Sequence, residues 1–503
     1  MIISLYRVGI FSYTSRLMQN PVRFCISLLK RAQKEDLEMI TQELASFVID
    51  TPAENLPAFV VPHARDALID TLGVSLAGTL EPVGEIALRW AHDVGAKPQA
   101  TIWGTRLATS AAEAAFVNGT CAHALDFDDS LPHLRGHPSA PMIAAALAVG
   151  EVTQAAGAEV LATYVLGLEV AGKLGQAMGS GHYLRGWHTT STVGTFTATA
   201  VAARLWGLDA SGLQTAWGIA ASQASGLVRN FGTMTKPFHA GHAARCGVVS
   251  AWLAKHGHTA DDAIFDGKNN VLETYAGDDG EPLSGLADRL GKPWEIIDPG
   301  NWVKRWPCCY SNHRAIGGVL KLLQQHQIRT EDIKSMSVGF LPGTDTALIH
   351  TNPQTGLEGK FSVEYSLAAA VLDRKLTLET FTDVMVQRAA IRSLMAKVKR
   401  YRIEDEKVYG LNAYTDIEID TARGNFKMHV EHTPGSPQWP MTESDRAEKF
   451  VDCAARVLGS RDAATVLELA QRCDQLPDIR QLLNATVPTQ SKTDKSRARQ
   501  PVS

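Results

Sequence analysis

Cysteine is scarce and unpatterned in this 503-residue chain: seven occur, with Cys308 and Cys309 adjacent and Cys121, Cys246, Cys453 and Cys473 scattered. An odd number without framework spacing excludes a disulfide scaffold and points to a reducing compartment. No CxxC occurs, which argues against a structural zinc site, and no HExxH or EF-hand pattern marks a metal centre. Positive charge is also in short supply, with 49 Lys and Arg against 53 Asp and Glu. A net charge of −4, without a basic stripe interleaved with aromatics, gives no support for a nucleic-acid partner. Apolar runs long enough to span a bilayer are missing, so a soluble protein without a membrane partner is expected. There is no internal repeat. What remains is 45% apolar and 20% charged, the balance of a globular protein too long for one ordinary domain.

The first 34 residues lack acid altogether: Arg7, Arg16, Arg23, Lys30, Arg31 and Lys34 precede the first carboxylate, Glu35. The rest of the chain then holds 43 basic against 53 acidic residues. An arginine-bearing leader over 1–36, acid-free through Lys34, fits a mitochondrial transit segment or a non-native extension with a later start at Met39. The expected compartment is the cytoplasm, or the mitochondrial matrix if the leader is a transit segment.

From about Leu37 the apolar period is helical. ITQELASFVID, VPHARDALIDTLGVSLAG, PMIAAALAVGEVTQAAG and EVLATYVLGLEVAGKLGQAM carry apolar residues at three- and four-residue steps. Their Ala and Gly content predicts thin, closely packed helices. Near Pro299 the pattern changes to alternation in KSMSVGFLP, KVKRYRIEDE, TDIEIDT and FKMHVEHT, as half-buried strands require. Helical period returns after Pro440. The expected fold is mainly α: a large, discontinuous all-helical domain over 37–296 and 441–485, with a smaller α+β domain inserted over 297–440. Residues 486–503 are polar and expected to be a disordered tail.

Chemistry-bearing residues gather where loops turn into helices. TKPFHAGHAARCG reads as a helix start, with Pro237 in its first turn and Lys236 and His239 on one side. HALDFDDSLPHLRGHPSAP holds Asp126, Asp128 and Asp129 with His123, His133 and His137. Such a set can hold a divalent cation, cap a polar turn, or hand a proton to a bound acid from His137, with Ser139 as a helix cap. GWHTTSTVGTF places His188 before a run of hydroxyls able to cap the next helix, and KRWPCCYSNH puts Lys304, Cys309 and His313 at the domain junction. EGKFSVEYS sets Lys360 just ahead of a helix capped by Ser362. Unpaired helix N–H groups beside cations favour anions, so these clusters converge on a pocket for a polyanionic small molecule.

Those same stretches, HALDFDDS…HPSAP, GWHTTSTVG, KPFHAGHAARCG, KRWPCCYSNH and GKFSVEYS, resemble the MmgE/PrpD family in order and over about residues 40–480. That family includes 2-methylcitrate dehydratases, cis-aconitate decarboxylases and iminodisuccinate epimerase. The resemblance implies a homodimer that works without metal or organic cofactor. Carried over from the decarboxylase branch, it places Asp126, Ser130, His137, His188, Lys236, Lys304 and Cys309 around the cleft. Ser130 and Cys309 stand where the animal decarboxylases have Thr and His, and one extra residue separates Asp126 from His137.

The expected catalytic set is His137, His188, Asp126 and Lys236. Ser130, His239, Lys304, Cys309, His313 and Lys360 are expected to bind substrate. The reading is a lyase of a small di- or tricarboxylate, with 2-methylcitrate-type dehydration ahead of cis-aconitate-type decarboxylation. An epimerase is the alternative among enzymes. A carboxylate-binding protein without activity is the alternative of another class.

Overall fold

Small residues over long stretches let helices approach until backbones touch, and the computed structural model is built on such contacts. It describes residues 40–277, 285–405 and 413–489. The basic leader 1–36, the alternative start at Met39 and the tail beyond residue 489 lie outside the described residues. Residues 486–489, grouped with the tail by composition, are placed: Thr486 is buried and its carbonyl accepts a hydrogen bond from the Gly104 N–H at 3.0 Å.

The first part of the chain is helical: α1 (Ile40–Asp50), α2 (Val60–Gly78), α3 (Pro82–Val94), α4 (Ala111–His123), α5 (Ser139–Thr153), α6 (Gly157–Met178), α7 (Thr189–Leu205), α8 (Ala210–Ala221) and α9 (Thr235–Lys255). A two-residue pair, β1 (Ala100–Thr101) with β2 (Ala108–Thr109), interrupts them. Helix α7 is buried at every position from Thr189 to Ala203, threonines included. Its hydroxyls turn back on the helix, Thr195 to the Ser191 carbonyl at 2.8 Å and Thr199 to that of Thr195 at 2.7 Å. A polar residue is buried there without leaving a group unpaired.

Helix α9 lies between α4 and α7. A Cβ on Gly241 would stand 2.2 Å from the Phe116 carbonyl of α4, and one on Gly247 would stand 2.5 Å from the Ala198 backbone of α7. Only glycine permits both crossings, and they set the position of Lys236 at the head of α9.

After residue 300 come α10 (His313–Gln325), β3 (Ile333–Phe340), α11 (Val363–Asp373), β4 (Val398–Arg402), β5 (Thr415–Thr421) and β6 (Gly424–Val430). The sheet order is β4-β3-β5-β6. Strand β3 runs parallel to β4, with Met336 opposite Val398, and antiparallel to β5, with Val338 opposite Ile417. In β5 alternate residues Thr415, Ile417, Ile419 and Thr421 are buried, as a period of two demands. Helices α12 (Glu443–Leu458) and α13 (Ser460–Gln471) then return to the first helices. Phe450, Ala454, Val466 and Ala470 share one core with Leu44, Leu72 and Leu147, whereas Ile316, Val338, Leu367 and Ile417 belong to a second. The fold is mainly α, with a small α+β part. Among the described residues no helix is long and apolar enough to cross a membrane.

Candidate active site

Helix α4 ends at His123, and the chain turns sharply at Asp126, whose φ of 51° is left-handed. That turn aims Asp126 at two lysines from distant elements. Its Oδ1 accepts from Lys236 Nζ at 2.6 Å and lies 2.9 Å from Lys304 Nζ, which also donates to the Asp126 carbonyl at 2.5 Å. Burial opposes ionisation of Asp126, but Lys236 and Lys304 override it and hold the carboxyl well below its ordinary range. For Lys304 burial acts downward, and Asp126 with Asp128 outweighs it, so its ammonium is strengthened.

Asp128 lies fully buried under the turn. Its carboxylate meets His123 Nδ1 at 2.9 Å and His137 Nδ1 at 3.3 Å. Burial again opposes its charge and His123 and His137 prevail, leaving it ionised. His123 itself is pushed down to about 4 by burial, against the pull of Asp128, so near neutral pH it is an uncharged donor. Its ring centroid is 4.5 Å from that of His137.

His137 thus stands between two carboxylates, with Nε2 3.7 Å from Asp126 Oδ1. Its backbone N–H donates to Thr190 Oγ1 at 2.9 Å, and Thr189 Oγ1 donates to the Arg135 carbonyl at 2.9 Å. The first turn of α7 therefore holds the loop rather than capping its own helix. Ser139 likewise departs from its expected capping role: it is the first residue of α5, and its hydroxyl meets Asp129 Oδ2 at 2.6 Å and the Tyr164 hydroxyl at 2.7 Å. Ser362 does cap α11, accepting from the Tyr365 N–H.

A cavity of about 310 Å³ opens on this array, walled by Ser130, His137, His188, Lys236, Arg135 and aromatic rings. His188 Nδ1 lies 3.0 Å from His239 Nδ1, so one imidazole donates to the other. Burial, then the fields of His123 and Lys236, keep His188 far below its ordinary value, and His239 falls to about 4, chiefly by burial.

The expected binding residues divide. Ser130 lines the cavity and pairs through its backbone with Trp302. Cys309 and Lys360 are tied together, the Cys309 N–H donating to the Lys360 carbonyl at 2.9 Å; both face the field of Lys304 without forming the cavity wall. His239 stands behind His188. His313 is fully buried, 5.0 Å from the Tyr310 ring that lines the cavity, and burial drops it to about 3. Trp302, Tyr310, Phe231 and Arg135 complete the wall and were not anticipated. His123 and Asp128 stand in HALDFDDS, but nothing in its spacing says which carboxylate pairs with the lysines and which lies buried under the turn.

His123, Asp126, Asp128 and His137 offer ligand atoms within 4.8 Å of one another, close enough for a metal ion. The charges beside them fit such an ion poorly. Two ammonium groups already occupy Asp126 Oδ1, and a divalent cation entering there would have to displace both.

A cavity walled by Lys236, whose partner Asp126 is shared with Lys304, and by a histidine set between two carboxylates can support proton transfer on an organic anion. The MmgE/PrpD N-terminal domain matches residues 42–283 and the MmgE/PrpD C-terminal domain residues 306–475, so the chain belongs to the MmgE/PrpD family. It is 26% identical to cis-aconitate decarboxylase of Homo sapiens over 453 residues, covering 88% of this chain and 93% of the human protein. Over 458 residues it is 25% identical to the Mus musculus cis-aconitate decarboxylase, covering 88% and 92%. The cis-aconitate decarboxylase of Aspergillus terreus (strain NIH 2624 / FGSC A1156) is 22% identical over 468 residues, covering 88% and 95%.

Proposed function

We propose that this protein is a cofactor-independent lyase of a small tricarboxylate, with decarboxylation of a cis-aconitate-type acid as the reaction. The observation that carries the reading is His137, placed beside Asp126 and Asp128 at the wall of a cavity that also presents Lys236. When a propene tricarboxylate loses CO2, the electron pair of the broken C–C bond forms a new double bond. The old double bond shifts its pair to the far vinylic carbon, which takes one proton. The step therefore needs one proton donor beside carbon and fixed positive charge beside the carboxylates that remain. His137 is that donor, and its two carboxylate neighbours orient the ring and balance its charge while it carries the proton. Lys236 and Lys304 supply the positive field. His188, held neutral by burial, acts as a hydrogen-bonding wall rather than as an acid.

The relatives' names move decarboxylation ahead of 2-methylcitrate-type dehydration, which uses the same proton carrier. Two imidazoles on one cavity also suit an epimerase, removing a proton from one face and returning it to the other. The domain division 37–296 with 441–485, against 297–440, belongs to this reading, as does a homodimer. The exposed side chains of Ile86, Trp90 and Val94 on α3, four residues apart, support such pairing of copies.

Incubation with cis-aconitate, 2-methylcitrate and iminodisuccinate, followed by NMR and CO2 release, separates the reactions. His137→Asn keeps one hydrogen-bonding nitrogen near the Nδ1 position but removes the titratable ring, and should lose turnover by about 10²–10⁴-fold. Lys236→Ala should also weaken binding, because it removes a charged hydrogen bond worth roughly 1.5–3 kcal/mol. Turnover of folded His137→Asn within about threefold of the parent ends the case for its role.

A further inference from the structure

The lysines beside the cavity are already committed. Lys236 and Lys304 share the single carboxylate of Asp126, and Lys304 is spent further on the Asp126 carbonyl. One more cation lines the cavity, Arg135, and among the described residues no carboxylate pairs with its guanidinium.

Its backbone is unusual. The segment Leu131 to Gly136 closes on itself, with the Leu131 N–H donating to the Gly136 carbonyl at 3.0 Å and the Arg135 N–H to the Leu131 carbonyl at 3.0 Å. That closure holds Arg135 at φ 53°, in the left-handed region where glycine or asparagine is cheaper than arginine. The Arg135 carbonyl is pinned by Thr189, and Gly136 follows where a Cβ would stand 2.6 Å from Thr189 Oγ1. Strain of this kind persists where the surrounding structure over-determines it, and it clusters at active sites and ligand clamps. The residue stands two positions before His137, exposed at the cavity wall, opposite no acid. A planar guanidinium with a free fork binds a carboxylate through two parallel N–H bonds.

The geometry points to Arg135 as the receptor of the substrate's distal carboxylate, which makes it the residue that selects a tricarboxylate over a dicarboxylate. This rests on the carboxylate-lyase reading above and adds its specificity. Lys236 and Lys304, half-neutralised by Asp126, attract the end of the molecule that reacts near His137. Arg135 takes the far end and sets its length.

The test is direct binding by calorimetry on the full chain, so that it does not depend on turnover. The probes are tricarballylate, a saturated tricarboxylate that cannot lose CO2 through an allyl shift, and methylsuccinate, the same skeleton without one terminal carboxylate. The parent should prefer tricarballylate. Arg135→Gln should weaken tricarballylate about tenfold, the loss of one charged hydrogen-bonded pair at a partly solvated site, and methylsuccinate, which has no distal carboxylate, by less than about twofold. Arg135→Gly relaxes the left-handed backbone, so it should keep the parent's melting temperature while losing the same preference.

If the parent shows the preference and Arg135→Gln and Arg135→Gly both retain it, this inference falls and the lyase reading stands. It falls as well if both acids weaken equally in the variants. A parent that binds neither acid overturns the carboxylate reading itself, and this inference with it.

Discussion

Lys449 sits on α12, far along the chain from every residue in the cavity, yet its ammonium is the knot between the two loops that form the site. It pairs with Asp70 of α2 at 2.5 Å, the side chains being 4% and 7% exposed. It donates to the Phe127 carbonyl at 2.9 Å and to the Lys304 carbonyl at 2.8 Å, and it lies 4.0 Å from the Phe127 ring centroid. Phe127 is flanked by Asp126 and Asp128, so one ammonium group sets the distance between that turn and Lys304.

Lys449→Met removes the cation and leaves Asp70 buried with no counter-charge; one of its oxygens, Oδ2, already lacks a partner. Breaking a buried pair from one side costs about 3–5 kcal/mol. Burial already raises the Asp70 carboxyl against the pull of Lys449, so in the variant it protonates more readily, which brings the expected loss toward the lower figure.

The double variant Asp70→Leu with Lys449→Met removes both charges. Replacing a buried pair by apolar groups is commonly near neutral, so at least half of the lost stability should return. Turnover should not return. The carbonyls of Phe127 and Lys304 stay unheld, and a misplacement of about 1 Å between Asp126 and Lys304 costs on the order of 10²-fold. Urea unfolding followed by tryptophan fluorescence, beside kcat on the folded proteins, reads both effects. A double variant that regains stability and turnover together refutes the positioning role. A loss below about 1 kcal/mol in Lys449→Met refutes the energetic one.

Buried histidines should also make stability depend on pH. Burial lowers His182 from 6.5 to about 4, so between those values the unfolded chain takes a proton that the folded chain refuses. Stability is then lost as pH falls through that window, at up to about 1.4 kcal/mol per pH unit for each such group. Asp129, raised to about 7 by burial, acts in the opposite sense, so the difference between His182→Gln and the parent is the quantity to measure. A gap in unfolding free energy that does not change from neutral pH to pH 4 contradicts the burial argument. Gly136→Ala forces a Cβ against Thr189 Oγ1 at 2.6 Å and Thr190 Oγ1 at 2.9 Å, displacing the support of the His137 backbone. Turnover should drop by at least about tenfold while the far-ultraviolet circular dichroism stays unchanged, and unchanged kcat would show that the loop yields.

Composition and period by themselves determined that most of the chain is helical, that the four-stranded sheet comes only after Pro299, and that the helices pack closely; the two-residue pair β1 and β2 left no such signal. Those are local properties: Ala and Gly at three- and four-residue steps cannot bury a face except against another close helix, and the alternation of TDIEIDT suits one side of a sheet. The clusters around Asp126, His137, His188 and Lys236 were legible because proton carriers and cations recur beside helix starts, and motif order then pointed to the family.

Tertiary structure decided how those groups spend their charge. Lys236 read alone is a free cation for a substrate, but in the fold it shares Asp126 with Lys304, because a left-handed turn at Asp126 aims one carboxylate at both. His313, equal to the others in sequence, is buried behind Tyr310. Arg135 lies inside HALDFDDSLPHLRGHPSAP with no role marked for it, and Lys449 carried no motif. Their importance comes from segments brought together from far along the chain, 54 residues from Arg135 to Thr189 and 145 or more from Lys449 to the carbonyls it holds, and a pattern confined to neighbours in sequence holds no record of such contacts.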